Sequence, residues 1–120
     1  MHMISYQDCD PILSWEGLVE AIQLGHKLKK AEISDTFLYR KDDTLLSRSA
    51  WIDGIGIAIK CATIFPGNKD FQKPTINGAV NLFDDKTGEL NAVIGDDWQQ
   101  SKPLRLFSKG WRQREQMLCQ

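Results

Sequence analysis

The chain has 120 residues, 42 % hydrophobic and 26 % charged, with 15 Lys/Arg against 16 Asp/Glu and a formal net charge of −1. That length suits one domain with a core and excludes two ordinary ones, and the near-neutral balance argues against a partner held by overall charge, nucleic acid included. Cys9, Cys61 and Cys119 are odd in number and widely spaced, and His2 and His26 are the only histidines. Neither a zinc site nor a disulfide framework is therefore expected, and a reducing cytoplasm fits best.

In chain order, Met3–Tyr6 can form a short strand with none of the apolar character of a signal peptide, and no later apolar run approaches a membrane span. Asp10-Pro11 breaks the strand, and Ser14 is a good N-cap. Leu18, Val19, Ile22 and Leu28 lie near one stripe of a helix expected over Trp15–Ala31, with Glu16 and Glu20 early and Lys27, Lys29 and Lys30 late, as the helix dipole favours. His26 reads as a solvated surface histidine on that helix. Ile33–Arg40 and Thr44–Ile52 are strands about a Lys41-Asp42-Asp43 turn, and Asp53-Gly54 turns into the next strand. Thr75–Phe83 and Glu89–Ile94 are two further strands about an Asp84–Gly88 loop.

The resulting expectation is an α+β fold: one long N-terminal helix packed on a mostly antiparallel sheet. Residues 1–97 make up the domain and 98–120 a divergent tail. The two parts differ in charge, since residues 1–97 carry ten Lys/Arg against fifteen Asp/Glu and residues 98–120 carry five against one. Ser108 could cap a short helix reaching Leu118, with Trp111, Met117 and Leu118 as anchors.

The stretch from Gly54 to Phe65 alternates in a period of two. Ile55, Ile57, Ile59, Cys61, Thr63 and Phe65 fall on one side and read as a continuous apolar face. Gly56, Ala58, Lys60, Ala62 and Ile64 fall on the other, where a lysine stands between small residues. A cation in such a place is costly to bury unless something anionic meets it. The alternative is a lysine that reaches past its small neighbours into water.

Lys60 with Phe65-Pro66-Gly67-Asn68, Pro74-Thr75, Leu82-Phe83-Asp84, Thr87-Gly88 and Ala92-Val93-Ile94 resembles the N-terminal part of the ornithine cyclodeaminase/mu-crystallin family. The resemblance extends upstream through Arg48-Ser49-Ala50-Trp51 and covers roughly residues 1–97. It implies a substrate-binding and dimerisation domain that pairs through its sheet. In full-length members a Rossmann domain follows and holds NAD(H) or NADP(H), for the deamination of ornithine, the reduction of cyclic imino acids or the oxidation of alanine.

By the same resemblance, Lys60 faces the substrate and Thr75 lines the same pocket, with an amino- or imino-acid carboxylate supplying the anion that Lys60 lacks. An arginine that grips the carboxylate is also implied. Arg48 and Arg40 are both candidates, and a plain surface arginine is the alternative for each. Asn68 reads as structural, because Pro-Gly-Asn is turn chemistry first.

No Gly-rich phosphate loop occurs in the chain, so no cofactor is expected to be bound by it and no catalysis by it alone. The first expectation is therefore a truncated, dimeric, cytoplasmic domain that holds a small amino or imino acid. One permitted codon set for Ser101–Leu106, shifted by two bases, encodes Gln-Thr-Ala-Ala-Thr, close to the family's continuation, which makes the tail a candidate frameshift product. The competing readings are a structural remnant that binds nothing, an interaction module using the basic tail with Trp98 and Trp111, and an enzyme completed by a second chain.

Overall fold

A computed structural model of the chain describes residues 1–95. The expected helix over 108–118 and the rest of the tail lie outside the described residues. In chain order the elements are β1 (His2–Ile4), α1 (Tyr6–Cys9), α2 (Trp15–Gly25), β2 (Glu32–Arg40), β3 (Asp43–Ile52), β4 (Gly56–Ile64), a 3-10 turn (Pro66–Phe71), β5 (Ile76–Phe83) and β6 (Leu90–Ile94). The strands form one six-stranded sheet in the order β1-β6-β5-β4-β3-β2. It is mixed, because β1 runs parallel to β6 while all other pairs are antiparallel.

The long N-terminal helix is absent. Ser14 does cap α2, its Oγ accepting from the Gly17 amide at 3.0 Å, but the helix has only 11 residues and ends at Gly25 rather than Ala31. Beyond Gly25 the bonding tightens, with Lys27 N donating to Leu24 O at 3.1 Å and Leu28 N to Gly25 O at 3.2 Å. Glycine costs a helix about 1 kcal/mol relative to alanine, and Lys27, Lys29 and Lys30 follow with no carboxylate one turn ahead of them to favour another turn. The helix does not pack closely on the sheet either: it contains no buried residue, and the main contacts between elements are all strand to strand. The described chain is therefore mostly sheet with little helix, and the α+β expectation is corrected accordingly.

Register fixes two faces. On one lie Asp35, Phe37, Leu46, Arg48, Ala50, Ala58, Lys60, Ala62, Gly78, Val80 and Leu82; on the other lie Ser47, Ser49, Trp51, Ile57, Ile59, Cys61, Thr63, Asn77, Asn81 and Phe83. The Ile57–Thr63 side is thus not a continuous apolar face. β4 alone alternates that way, but its neighbours β3 and β5 bring serine and asparagine to the same surface. Ala62 and Ala92 are the buried apolar residues among those described, while Ile33 is 64 % and Phe37 46 % exposed. A single layer of sheet cannot bury both of its faces.

Side-chain hydrogen bonds hold the turns. The carboxylate of Asp85 accepts from Trp51 Nε1 at 2.8 Å and from the Gly54 amide at 3.0 Å, tying the β3–β4 turn, where Gly54 has φ 85°, to the β5–β6 loop. Within that loop Asp84 Oδ1 accepts from the amides of Lys86 at 2.9 Å and Thr87 at 2.8 Å, and from Thr87 Oγ1 at 3.1 Å. Asn68 Nδ2 donates to Pro74 O at 3.0 Å, holding the 3-10 turn closed across the loop, which is the structural role read from its sequence context.

These bonds favour ionised carboxylates. The Thr87 and Lys86 amides hold the Asp84 carboxyl below its ordinary value of 3.8, and the Ser5 amide and hydroxyl do the same for Asp8. A depressed folded-state pKa contributes stability that is complete above 3.8 and is lost as the pH falls through the lowered value. Acid should therefore loosen the β5–β6 loop. Amide exchange at Lys86 and Thr87 is expected to accelerate on acidification beyond the intrinsic trend in wild type, with that excess absent in Asp84→Asn.

Candidate carboxylate-binding site

Lys60 sits at the centre of β4, in the middle of the sheet. Its cross-strand neighbours are Arg48 on β3 and Val80 on β5, and Arg48 in turn faces Asp35 on β2. The row Asp35–Arg48–Lys60 therefore lies across three adjacent strands on one face. Lys60 is flanked along its own strand by Ala58 and Ala62, with Ala50 and Gly78 diagonal to it on the neighbouring strands. The small residues anticipated from the alternation of β4 are thus extended by alanine and glycine at two of its four diagonal positions, while Leu46 and Leu82 take the other two, and Lys60 itself is half-buried.

Directly opposed like charges on neighbouring strands destabilise each other. Arg48 and Lys60 stand in that relation, and Asp35 offsets it: Arg48 Nε donates to Asp35 Oδ1 and Nη2 to Oδ2, each at 2.7 Å. The hydrogen bonds from Arg48 depress the Asp35 carboxyl below 3.8, opposed by its desolvation, and the same bonds raise the guanidinium. The side chains are 56 % exposed for Arg48 and 29 % for Asp35, so this is a fixed surface pair rather than a buried one. Among the described residues Lys60 has no ion-pair partner. The three charges sum to one positive, among alanine, glycine, valine and leucine of the same face. Such a surface can hold a single carboxylate through charge-assisted hydrogen bonds.

The other two candidates lie apart. Arg40 ends β2 on the opposite face, where its Nη2 is 3.6 Å from Asp43 Oδ2 across the hairpin. Thr75 precedes β5, its carbonyl accepting from the Phe65 amide at 2.7 Å. It lies five residues before Val80, the partner of Lys60, or roughly 17 Å along the strand. The structure thus brings Lys60 and Arg48 together and leaves Arg40 and Thr75 elsewhere.

Sequence reasoning missed Asp35. Its signal is an acidic residue inside the strand Ile33-Ser34-Asp35-Thr36-Phe37, where aspartate is disfavoured by propensity; an arginine thirteen positions on, brought opposite it by the hairpin that pairs Arg40 with Asp43, completes it. Two clefts were missed as well. One of about 520 Å³ lies between the end of α2 and β3, with Ile22, Leu28, Lys29 and Ile52 among its walls. One of about 470 Å³ lies beside Trp51 and Ser49 at the start of β2. Neither includes Lys60.

The described residues do not fit a dinucleotide. The one helix longer than a single turn begins at Ser14, whose hydroxyl already occupies the Gly17 amide, and no glycine-rich strand-to-helix loop precedes it.

No protein-family model matches the chain. Over 91 residues it is 44 % identical to a Delta(1)-pyrroline-2-carboxylate reductase of Paracoccus denitrificans (strain Pd 1222), a match that covers 76 % of this chain and 29 % of the reductase. Among solved structures, its fold is similar to that of the Thermococcus litoralis Delta(1)-pyrroline-2-carboxylate reductase in complex with NADH and L-proline. That match has a TM-score of 0.69 and 20 % identity over 79 % of this chain and 32 % of that one. An archaeal alanine dehydrogenase dimer with bound NAD gives a TM-score of 0.73 at 20 % identity, over 87 % of this chain and 33 % of its own. The chain thus spans about a third or less of each of these proteins, and at 20 % identity the structural likeness is one of fold.

Proposed function

We propose that this chain, which matches the ornithine cyclodeaminase/mu-crystallin family over part of a member's length, is a substrate-side domain that holds the carboxylate of a small cyclic imino or amino acid between Lys60 and Arg48. The observation that carries this reading is the row Asp35–Arg48–Lys60, one net positive charge on one face at the centre of the sheet. The names of the relatives support the ligand class: one acts on pyrroline-2-carboxylate and another is complexed with L-proline. Relatives hold NAD(H), and no residue set described in this chain fits it. Hydride chemistry is accordingly assigned to a part these residues do not include, and the domain binds without turning over its ligand.

The same reading includes a homodimer. β2 is an edge strand exposed along its whole length, including Ile33, Phe37, Leu38 and Tyr39. Such an edge, with its apolar side chains exposed, is a template for a second copy. The second reading is a folded remnant that binds nothing, which the openness of the Arg48 side chain favours.

Thermal stabilisation of the chain by L-proline, pyrroline-2-carboxylate, L-alanine and NADH separates the two. At one hundred times Kd a ligand adds about 2.7 kcal/mol, enough to raise Tm by many degrees in a domain of this size. A saturable shift with an imino or amino acid and none with NADH is expected. No shift with any ligand would sink the binding reading, and a monomer in sedimentation velocity would sink the dimer.

A further inference from the structure

We infer that Asp35 is a positioning residue for the carboxylate clamp: it fixes the Arg48 guanidinium beside Lys60, occupying one forked edge and leaving the other for the ligand. This rests on the reading of Lys60 and Arg48 as the anion site. A guanidinium carries five N–H donors in a rigid plane, arranged so that two edges can each meet a carboxylate. Asp35 takes the Nε/Nη2 edge with two bonds of 2.7 Å. Among the described residues no group accepts from Nη1, so the Nη1/Nη2 edge is available.

Position alone would not keep Arg48 there. Lys60 is directly opposite and repels it, and a half-exposed arginine has many rotamers that carry its charge away into water. Asp35, on the far side of Arg48 from Lys60, removes that freedom and neutralises one of the two cations. The result is a pre-ordered site whose net charge matches one carboxylate. Pre-ordering lowers the entropy a ligand must remove on binding. An exposed ion pair contributes little to folding, so the positioning role can be separated from stability.

The test is calorimetric titration of L-proline and pyrroline-2-carboxylate into the 120-residue chain and into Asp35→Asn, Asp35→Glu, Arg48→Ala and the Asp35→Asn/Arg48→Ala double variant. Asp35→Asn is expected to weaken binding about tenfold, the equivalent of one charge-assisted hydrogen bond, with Asp35→Glu recovering most of the loss. The double variant should bind no more weakly than Arg48→Ala alone, because Asp35 acts through Arg48. In the ligand-free chain the Arg48 Nε–H resonance should be resolved in wild type and broadened by exchange in Asp35→Asn. Unchanged binding in Asp35→Asn, or losses that add to those of Arg48→Ala, would overturn the positioning role while the site itself stands. Wild type that binds neither ligand would overturn the site, and the clamp with it.

Discussion

Lys60→Ala is expected to weaken L-proline binding about 30-fold or more, the low end of the 2–5 kcal/mol lost when one partner of a desolvated charge pair is removed. The low end applies because Lys60 is half-buried rather than fully buried and Arg48 is 56 % exposed. Lys60→Met keeps the aliphatic stem and should lose nearly as much, which assigns the effect to the ammonium rather than to packing. The folded state should not suffer. Removing Lys60 relieves its direct opposition to Arg48, so Tm is expected to hold or rise slightly. Loss of binding without loss of Tm separates a site lysine from a structural one. Undiminished affinity in Lys60→Ala would remove Lys60 from the site.

Gly78→Ala is expected to cost about 2–3 kcal/mol, in the range of overpacking a well-packed position, and to lower Tm by roughly 10 °C or more in a domain of this size. A methyl group on Gly78 would overlap the carbonyl oxygen of Cys61 and stand 3.0 Å from Ala62 Cα and 3.1 Å from Ala62 Cβ. These are atoms of the neighbouring strand, and that strand cannot retreat without breaking the β4–β5 ladder at Cys61↔Ala79 and Ala62↔Gly78. The same shift would move β4 beside Lys60, so ligand stabilisation should fall together with Tm. Gly25→Ala has open space around it and is helix-terminal; it should be neutral or mildly stabilising. Equal Tm values for the two alanine variants, measured by thermal denaturation, would show that β4 and β5 do not approach as closely as described.

Most of the sheet was legible along the chain, because strands and turns are local. β2, β3, β5 and β6 each begin within one residue of the expected position and end on the expected residue, and β4 lies inside the anticipated Gly54–Phe65 stretch. Asp53-Gly54 and the Asp84–Gly88 loop carry turn chemistry that depends on immediate neighbours. The cap at Ser14 was equally local, whereas the far end of α2 was not. The apolar period continues to Leu28, but Gly25 and the lysines beyond it bring no packing to sustain another turn. A helix stripe promises burial only if a partner face exists.

The candidate site divides in the same way. Lys60 among small residues follows from the alternation of one strand, and its resemblance to a known family pointed to a carboxylate. By itself the sequence determined β2 to β6, their turns, the N-cap of α2 and the parity that places Lys60 on the face opposite to Cys61, whereas the strand expected over Met3–Tyr6 is His2–Ile4 and Tyr6 opens α1. Register decided the rest: that Arg48 rather than Arg40 stands beside Lys60, that Asp35 holds Arg48, that Thr75 is far along the strand, and that serine and asparagine interrupt the Ile57–Thr63 face. The physical reason is that parity along a strand is a property of its own backbone. Which residue faces which across two strands depends on loop lengths and on pairings between segments distant in the chain, and a slip of one residue would have exchanged every neighbour of Lys60.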